Sequence, residues 1–572
     1  MRRHLMAGSA VVAVVAATGL TGFSGRAGAA PASVTDHLVT NGSPRTTFPQ
    51  NKQNEPGLAL DPAAPSTLVA GSNDEIDLGP CAGSSCPFTP GVGVSGVYFS
   101  FNGGSTWTQP TYTGYSDRTG TPVRGGPIGT LPNYFEAGLA SDGDAELAFG
   151  PRPNGHGGFT YDRGSRLYYA NLAANFPGTS TTKGFEAVTV SHADDLAAAA
   201  AGSNAAWSAP VVESKQNGAL FSDKESIFAD NARTSPYFGN VYVCNVGFRG
   251  QEKSSAVPEP VLIGRSTDGG ASFTTKQVTA ATDNSQTGGR QGCTLRTDSH
   301  GNVVLVFSGF SKQLNSGVFY QEVSRDGGQN FSRPTVVART AGIGQLDPEQ
   351  GRFTIDGVAG SRTEVFPSLD IANGAPLGTD ATNEVVLSWA DARAGQNREK
   401  AYLQYSTNGG RSYSQPTAVS ALAEGRANQP AIAIAPDGSE LYLTYNAYQA
   451  IWQAGTSKPR PMNGVVRKAT VNRNSGAPGA FATAHTGASG DARGSSANRL
   501  TDEFLGDYNS AVASRTNAVA VFNDVRNAAD CPRIDSYRQS LVDGSPIAKP
   551  APAKDCAPSF GNTDIYSYTS SP

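Results

Sequence analysis

Along most of the chain, apolar residues alternate with polar ones over short stretches, and each stretch is cut off by Gly, Pro, Asn or Asp. Alternation with a period of two is the mark of half-buried strands, and the punctuation is that of tight turns. The stretch EPGLALDPAAPSTLVAGSND from Glu55 holds two such strands around a DP turn, and GVYFSFNGGSTWTQP from Gly96 holds a third and the start of a fourth. The same order returns in DKESIFADNARTSPYFGNVYVCNV with PVLIGRSTDGGASFTTKQV. It returns again in GCTLRTDSHGNVVLVFSG with VFYQEVSRDGGQNFSRPTVV, and in FPSLDIANGAPLGTDATNEVVLSWAD with AYLQYSTNGGRSYSQPTAV. The one helix-like segment, HADDLAAAAA over His192–Ala201, reads as an insertion.

Further units keep the strands and lose the turn phrase: GGFTYDRGSRLYYANL, QPAIAIAPDGSELYLTYNA with VVRKATVNRNSGAPGAFATA, and DYNSAVASRTNAVAVFND with DIYSYTSSP. The last of these lacks a fourth strand, while HLVTNGS from His37 is a strand without a unit. Four-stranded units repeated about an axis make a β-propeller, in which circular closure leaves only short, protected sheet edges. The expectation is an all-β fold, one β-propeller of four-stranded blades over residues 30–572. Seven blades are counted, or six if the second or sixth unit is only an elaboration, and the strand near His37–Ser43 closes the ring.

The repeated turn carries Ser-x-Asp/Asn-x-Gly-x-Thr/Ser/Asn-aromatic at Ser100-Asn102-Gly104-Thr106-Trp107, Ser266-Asp268-Gly270-Ser272-Phe273, Ser324-Asp326-Gly328-Asn330-Phe331 and Ser406-Asn408-Gly410-Ser412-Tyr413. A short Asp or Asn side chain accepts hydrogen bonds from backbone N–H groups of its own turn, and an aromatic ring packs between sheets. The pattern resembles the Asp box, or BNR repeat, of the sialidase-like propellers of secreted bacterial type. Asn102, Asp268, Asp326 and Asn408 are therefore expected to be structural, on the face opposite the loops that follow strands two and four.

Composition and termini narrow the setting. Arg2 and Arg3, an apolar run, and Ala27-Gly28-Ala29 have the layout of a secretory signal peptide over residues 1–29, so the mature chain is expected outside the cytoplasm, unattached to a membrane. The six cysteines allow 15 connectivities. The reading taken pairs Cys81 with Cys86, Cys531 with Cys556 across a Pro-rich excursion, and Cys244 with Cys293. A net charge of −4 offers no broad basic surface for nucleic acid. No zinc spacing, P-loop or GxSxG occurs. No cofactor or catalytic metal is expected, although an acidic mouth suits structural Ca²⁺. A monomer is expected.

In a propeller, the loops entering strand one and leaving strand two converge on one mouth of the channel. Entering strand one are Asn54-Glu55, Asp144, Glu146, Asp223-Lys224-Glu225, Arg290-Gln291, Glu364, Arg426, Asn428-Gln429 and Asp507-Tyr508-Asn509. Leaving strand two are Asn73-Asp74-Glu75, Asn171, Asn245, Asp391-Ala392-Arg393, Asn446 and Asp524-Val525-Arg526. Carboxylates and arginines in one concavity suit an anionic or heavily hydroxylated ligand, so the expected partner is a glycan or glycoconjugate. Resemblance to sialidases implies three arginines gripping a sugar carboxylate, for which Arg290, Arg393 and Arg526 stand. It also implies a Tyr nucleophile activated by a Glu, here Tyr508 beside Asp507 with Glu503, and an acid/base Asp, here Asp74. Glu55, Asp223, Glu225, Glu364 and Asp524 complete the expected binding mouth. The Arg-Ile-Pro type motif of the first blade is replaced by Asn54-Glu55-Pro56, and Arg45 lies nearby outside that pattern. Two functions follow: an exo-acting glycoside hydrolase on acidic sugars, or a secreted propeller that binds glycan or protein without catalysis. For Arg393 and Arg526 the competing expectation is a salt bridge between neighbouring blades; for Tyr508 it is a ring packed at the channel wall.

Overall fold

Seven antiparallel sheets follow one another along the chain in the computed structural model, which describes residues 35–40, 52–214, 217–218, 220–249, 257–280 and 290–570. The segment read as a signal peptide, residues 1–29, together with Arg45 and residues 41–43, lies outside the described residues. Blade 1 is Gln53–Leu60, Leu68–Asp74 and Ser95–Ser100; blade 2 is Glu146–Pro153, Phe159–Asn175, Ala187–Ala193 and Val211–Val212. Blade 3 is Leu220–Ala229, Val241–Arg249, Val257–Ser266 and Thr274–Gln277, and blade 4 is Arg290–Thr297, Val303–Ser311, Ser316–Ser324 and Thr335–Thr340. Blade 5 is Ser368–Ile371, Val385–Asp391, Lys400–Ser406 and Thr417–Ala418, and blade 6 is Arg426–Ile434, Glu440–Tyr448, Pro461–Asn472 and Ala482–Thr486. Blade 7 is Ser510–Ala513, Ala518–Asp524, Asp564–Thr569 and, from the other end of the chain, His37–Leu38.

The first strand of each blade touches the first strand of the next, from blade 1 round to blade 7 and back to blade 1, so the ring is closed and the count is seven. The seam is the antiparallel pairing of His37 with Ser567 and Leu38 with Tyr566, extended by the Val39 N–H donating to the Ile565 carbonyl at 2.9 Å. Core clusters straddle neighbouring blades. Val304, Val306 and Phe319 of blade 4 pack with Leu369, Leu387 and Trp389 of blade 5, because both faces of each blade are covered by its neighbours.

Four details differ from expectation, the first being an eleven-residue helix, Pro532–Val542, in the excursion that follows the second strand of blade 7, beyond the one helix-like segment the sequence offered. Blade 1 has three strands, its fourth reduced to a bridge between Phe99 and Thr108, and the chain then forms a hairpin of Tyr112–Ser116 with Val123–Ile128. The helix in blade 2 spans only Leu196–Ala200. His192 and Ala193 are instead paired with Tyr168 and Leu167, and Asp195 starts the helix by accepting from the Ala198 N–H at 2.9 Å. A second hairpin, Gln345–Asp347 with Arg352–Thr354, joins blades 4 and 5.

The four repeated turns share one hydrogen-bond pattern. Asp268 Oδ1 accepts from the Ser272 N–H at 3.0 Å, and Ser266 Oγ accepts from the Gly270 N–H at 2.9 Å. Asp326 with Asn330 at 2.8 Å, Asn408 with Ser412 at 3.0 Å and Asn102 with Thr106 at 3.0 Å repeat it. Gly270 and Gly328 stand at φ of 84° and 80°, and a Cβ at Gly328 would lie 2.6 Å from the Tyr242 ring of blade 3. Glycine is needed there twice over, for the left-handed backbone and for the close approach of the preceding blade. The aromatic that ends each turn, Phe273, Phe331 or Tyr413, packs on the cluster between its own blade and the one before.

The cysteines are joined as Cys81–Cys86, Cys244–Cys293 and Cys531–Cys556. The second ties blade 3 to blade 4. The first and third meet in a cluster with Leu500, Ile534 and Phe560, which packs two long excursions against each other on the side of the loops that follow the second strands.

Candidate functional site

Where the first strands begin, their ladders slip. The pairing register shifts between Asn54 and Gly57 in blade 1, Asp223 and Ser226 in blade 3, Gln291 and Thr294 in blade 4, and Asn428 and Ala431 in blade 6. At each slip one residue is left-handed: Glu55 at φ 56°, Lys224 at 58°, Gly292 at 57° and Gln429 at 53°, with Asp144 at 53° just before the first strand of blade 2. A bulge re-aims a side chain, and a non-glycine residue in this region stores roughly 1–3 kcal/mol of strain each time. The device thus recurs around one mouth of the channel, and asparagines leaving the second strands brace it. Asn73 donates to Glu55 Oε2 at 2.7 Å, Asn446 to the Asn523 carbonyl at 2.8 Å, and Asn523 to the Tyr508 carbonyl at 3.0 Å.

Two cations bind this mouth together. Lys224 Nζ lies 2.6 Å from Asp507, 3.4 Å from Asp144 and 4.0 Å from Glu55. Arg362 grips Asp507 through Nε at 2.7 Å and donates to Asp507 through Nη2 at 2.8 Å, while the same Nη2 lies 3.3 Å from Glu55. Three carboxylates from three blades therefore share two cations. Phe366 and Tyr508 flank the Lys224 ammonium at 5.7 and 5.8 Å, and Phe504 stacks on the Arg362 guanidinium at 4.7 Å.

These surroundings split the acids. Burial pulls the Asp507 carboxyl upward, but Arg362 and Lys224 outweigh it and hold Asp507 below the ordinary carboxylate range. Burial, and then repulsion from Asp144, pushes Glu55 up to about 8, while burial and then Asp507 push Glu364 up to about 7. Glu225 is driven well above its usual range by burial and by Asp144. Glu364 opens on the same cavity as Asp507 and Tyr508 and makes no ion pair among the described residues. Asp144, Asp223 and Glu225 bring carboxylate oxygens within 4.8 Å of one another, a hard-oxygen set that matches Ca²⁺ chemistry.

The expected residues divide into those gathered here and those held elsewhere. Glu55, Asp223, Glu225, Glu364 and Tyr508 belong to the mouth. The Tyr508 hydroxyl is buried without a hydrogen-bond partner, and burial together with Asp144, Glu55, Glu146 and Glu225 raises its pKa well above the usual value. Glu503 does not meet it. Its carboxylate pairs with Arg460 at 2.8 Å and accepts from Ser361 Oγ at 3.0 Å, in a separate buried network with Asp356. Asp74 accepts from Gln53, Tyr98, Gln109 and the Ile76 N–H at 2.7–3.0 Å, so its lone pairs are occupied inside blade 1.

The three arginines expected to form a clamp are each engaged by neighbouring groups, and Arg393 also donates to the Arg339 carbonyl of blade 4 at 2.7 Å. Arg290 stacks on Tyr320 at 5.0 Å. Arg393 is held by Asp391 through Nε at 2.9 Å and Nη2 at 2.7 Å and stacks on Tyr402 at 4.6 Å. Arg526 binds Asp524 in the same way, reaches Asp36, and lies 3.7 Å over Tyr566. The D-x-R spacing gives a bridge within one turn, not the bridge between blades that it suggested. Arg362 escaped the sequence reading; its one signal was its place two residues before Glu364 in the run that enters blade 5.

No protein-family model matches this chain, and no curated protein matches it. Solved structures similar to it include the NanB sialidase from Streptococcus pneumoniae, at 10% identity over 72% of this chain and 67% of that one, with a TM-score of 0.39. The α-L-arabinanase of Penicillium chrysogenum is similar at 9% identity over 81% and 98% of the two chains, with a TM-score of 0.38. The phage phi92 endosialidase is similar at 9% identity over 94% and 69%, with a TM-score of 0.39.

Proposed function

We propose that this protein is an exported, glycan-acting propeller, a glycoside hydrolase that works with two carboxylates at the channel mouth. The observation that carries the reading is the pairing at that mouth: Asp507 clasped by Arg362 and Lys224, and Glu364 opening on the same cavity without an ion pair among the described residues. Glycoside cleavage needs one carboxyl group that keeps a proton for the leaving oxygen and one that stays ionised beside the cationic sugar ring. Glu364 fits the first role and Asp507 the second. Phe366 and Tyr508 give the cavity aromatic walls against which the apolar face of a sugar packs. Export is supported by the three disulfides, which persist in oxidising compartments. Among the described residues no helix is long and apolar enough to cross a membrane.

Within this reading a neutral, hydroxylated sugar suits the mouth better than an acidic one. Seven carboxylates from Glu55, Asp144, Glu146, Asp223, Glu225, Glu364 and Asp507 surround it; Arg362 is committed to two of them, and Arg296, which lines the cavity, is paired with Asp370 at 3.6 Å. The sialidase version needs arginines free to meet a substrate carboxylate. A second reading, binding without cleavage, is favoured by the full engagement of Asp507 with its two cations.

The test is a release assay on neutral glycosides and arabinosides alongside sialosides. Glu364→Gln is expected to lower kcat/KM by roughly 10²–10⁴-fold, the usual worth of a positioned acid, with the unfolding midpoint unchanged or raised. Full turnover by that variant sinks the catalytic assignment. Binding without release by the native chain selects the second reading, and release from sialosides alone restores the acidic-sugar version.

A further inference from the structure

A second roomy cleft, among the described residues, lies away from the mouth. About 680 Å³ of open space lies between blades 4 and 5 at the rim of the ring, within the size range of ligand clefts. One wall is the fourth strand of blade 4, Thr335–Arg339, and the other is the repeated turn of blade 5, Gly409–Pro416. The gap exists because the fourth strand of blade 5 is only the pair Thr417–Ala418 and leaves that flank uncovered.

Among the described residues, all charged ones that line the cleft are arginines: Arg325, Arg339, Arg393 and Arg411. In a chain with net charge −4, four guanidinium groups around one cleft without a lining carboxylate form a local reversal of sign. Their placement follows from the topology. Arg325 and Arg411 sit in the repeated turns of blades 4 and 5, whereas Arg339 lies near the end of one strand, and Arg393 just past the end of another, both ending on the mouth side, so positive charge stands at both ends of the cleft. Arg393 is fixed by Asp391 and by donating to the Arg339 carbonyl at 2.7 Å. Arg325, Arg339 and Arg411 are exposed and make no ion pair among the described residues. Between them the walls offer amides and hydroxyls, with Gln404 donating to the Ser414 carbonyl at 2.7 Å.

We propose that this cleft binds an anionic glycan chain, one that carries carboxylate or sulfate groups, at a site separate from the channel mouth. A guanidinium fork matches either group bidentately, and charge at both ends with hydroxyl-binding walls between suits a chain whose charges are spaced along sugar units. Duplex nucleic acid needs a broad basic face, which a recess with three unpaired arginines on an acidic protein does not supply. The flat surface of a bilayer cannot enter a recess between blades. The inference does not depend on the mouth being catalytic.

The test is affinity electrophoresis of the whole mature protein through polygalacturonate, chondroitin sulfate and neutral dextran, with duplex DNA and phosphatidylglycerol vesicles measured by co-sedimentation. The native protein is expected to be retarded by one of the two acidic polymers and not by dextran, and the retardation to fade in high salt. Arg325→Gln, Arg339→Gln and Arg411→Gln together are expected to weaken it by roughly ten-fold or more, with the melting temperature and any release activity of the mouth unchanged. Arg393 is left in place because it is tied into its blade. Unaltered retardation in the triple variant, equal retardation by dextran, or equal or tighter binding of DNA or vesicles overturns the proposal.

Discussion

The repeated turns and the channel mouth are both rich in acids and Asn, yet the turns lower Asp268 and Asp326 while the mouth raises Glu55, Glu225 and Glu364 and lowers Asp507, which two cations clasp. In a turn, Asp326 receives the Asn330 N–H, the Asn330 amide and the Ser324 hydroxyl and is held down at about 2. At the mouth, burial and neighbouring acids lift Glu364 to about 7 and Glu55 to about 8. The contrast lies in who supplies the donors. A turn carries its own within four residues, so its acid is satisfied wherever the turn forms. The mouth draws its counter-charges from other blades, so its acids are satisfied only by the finished ring, and then incompletely. Stabilising positions and candidate chemical positions are separated by that difference.

The largest effect expected from breaking the comparison is at Lys224. Lys224→Met removes the ammonium shared by Asp507, Asp144 and Glu55 and leaves Asp507 and Glu55 to Arg362, which costs roughly 3–5 kcal/mol. Arg515→Ala, which breaks an exposed pair with Asp380, is expected to cost no more than about 1 kcal/mol. Urea unfolding of the two variants measures the gap, and equal midpoints would refute the claim that the mouth depends on its cations.

Next come the turns. Gly328→Ala puts a Cβ against Tyr242 at a left-handed backbone and is expected to cost roughly 1–3 kcal/mol, and Ser324→Ala about 1 kcal/mol through the lost bond to the Gly328 N–H. Neither is expected to change ligand affinity at the mouth, which calorimetry with the identified sugar checks in the folded variants.

The smallest effect is on pH. Asp326 has a folded pKa below its ordinary 3.8, so its stabilisation is present above that value and fades as pH falls through about 2. Glu364 is raised above its ordinary 4.5, so its contribution is complete below 4.5 and is lost as pH rises through about 7. Melting curves of Asp326→Asn and Glu364→Gln should therefore run parallel to the native chain in acid and depart from it with opposite signs as pH rises, Asp326→Asn becoming relatively less stable from about pH 2 to 4 and Glu364→Gln relatively more stable from about pH 4.5 to 7. Loss of both contributions on the acid side would show that the mouth acid is not raised.

The architecture was legible because it is written locally. Each turn phrase is a complete hydrogen-bonding unit, and alternation marks the strands on either side, so the blades could be counted without any long-range information. Blade 1 defeated the count of strands because Thr108 is followed at once by a hairpin whose residues alternate equally well. The mouth was legible as a list of positions and not as a set of partners. Asp391 and Arg393 are two residues apart, and whether such a pair closes on itself or reaches for a ligand depends on the curl of one turn. Glu503 lies five residues before Tyr508, yet Arg460 and Ser361 from distant segments claim its carboxylate. Arg362 lies in a run without strand pattern and becomes visible only when blade 7 brings Asp507 to it.

The seam through His37 and Leu38 has a kinetic meaning. These residues pair with Ser567 and Tyr566, more than five hundred positions away along the chain, whereas Cys244 and Cys293 are separated by only 49. Closing a loop costs more entropy the longer it is, and contacts between distant residues form slowly. The bond between blades 3 and 4 can thus be made while most of the ring is still a chain, but the last blade must wait for its edge strand. Until that strand docks, the edge of Asp564–Thr569 is an open template for another chain, so the slowest step of folding is also the one most exposed to misassembly.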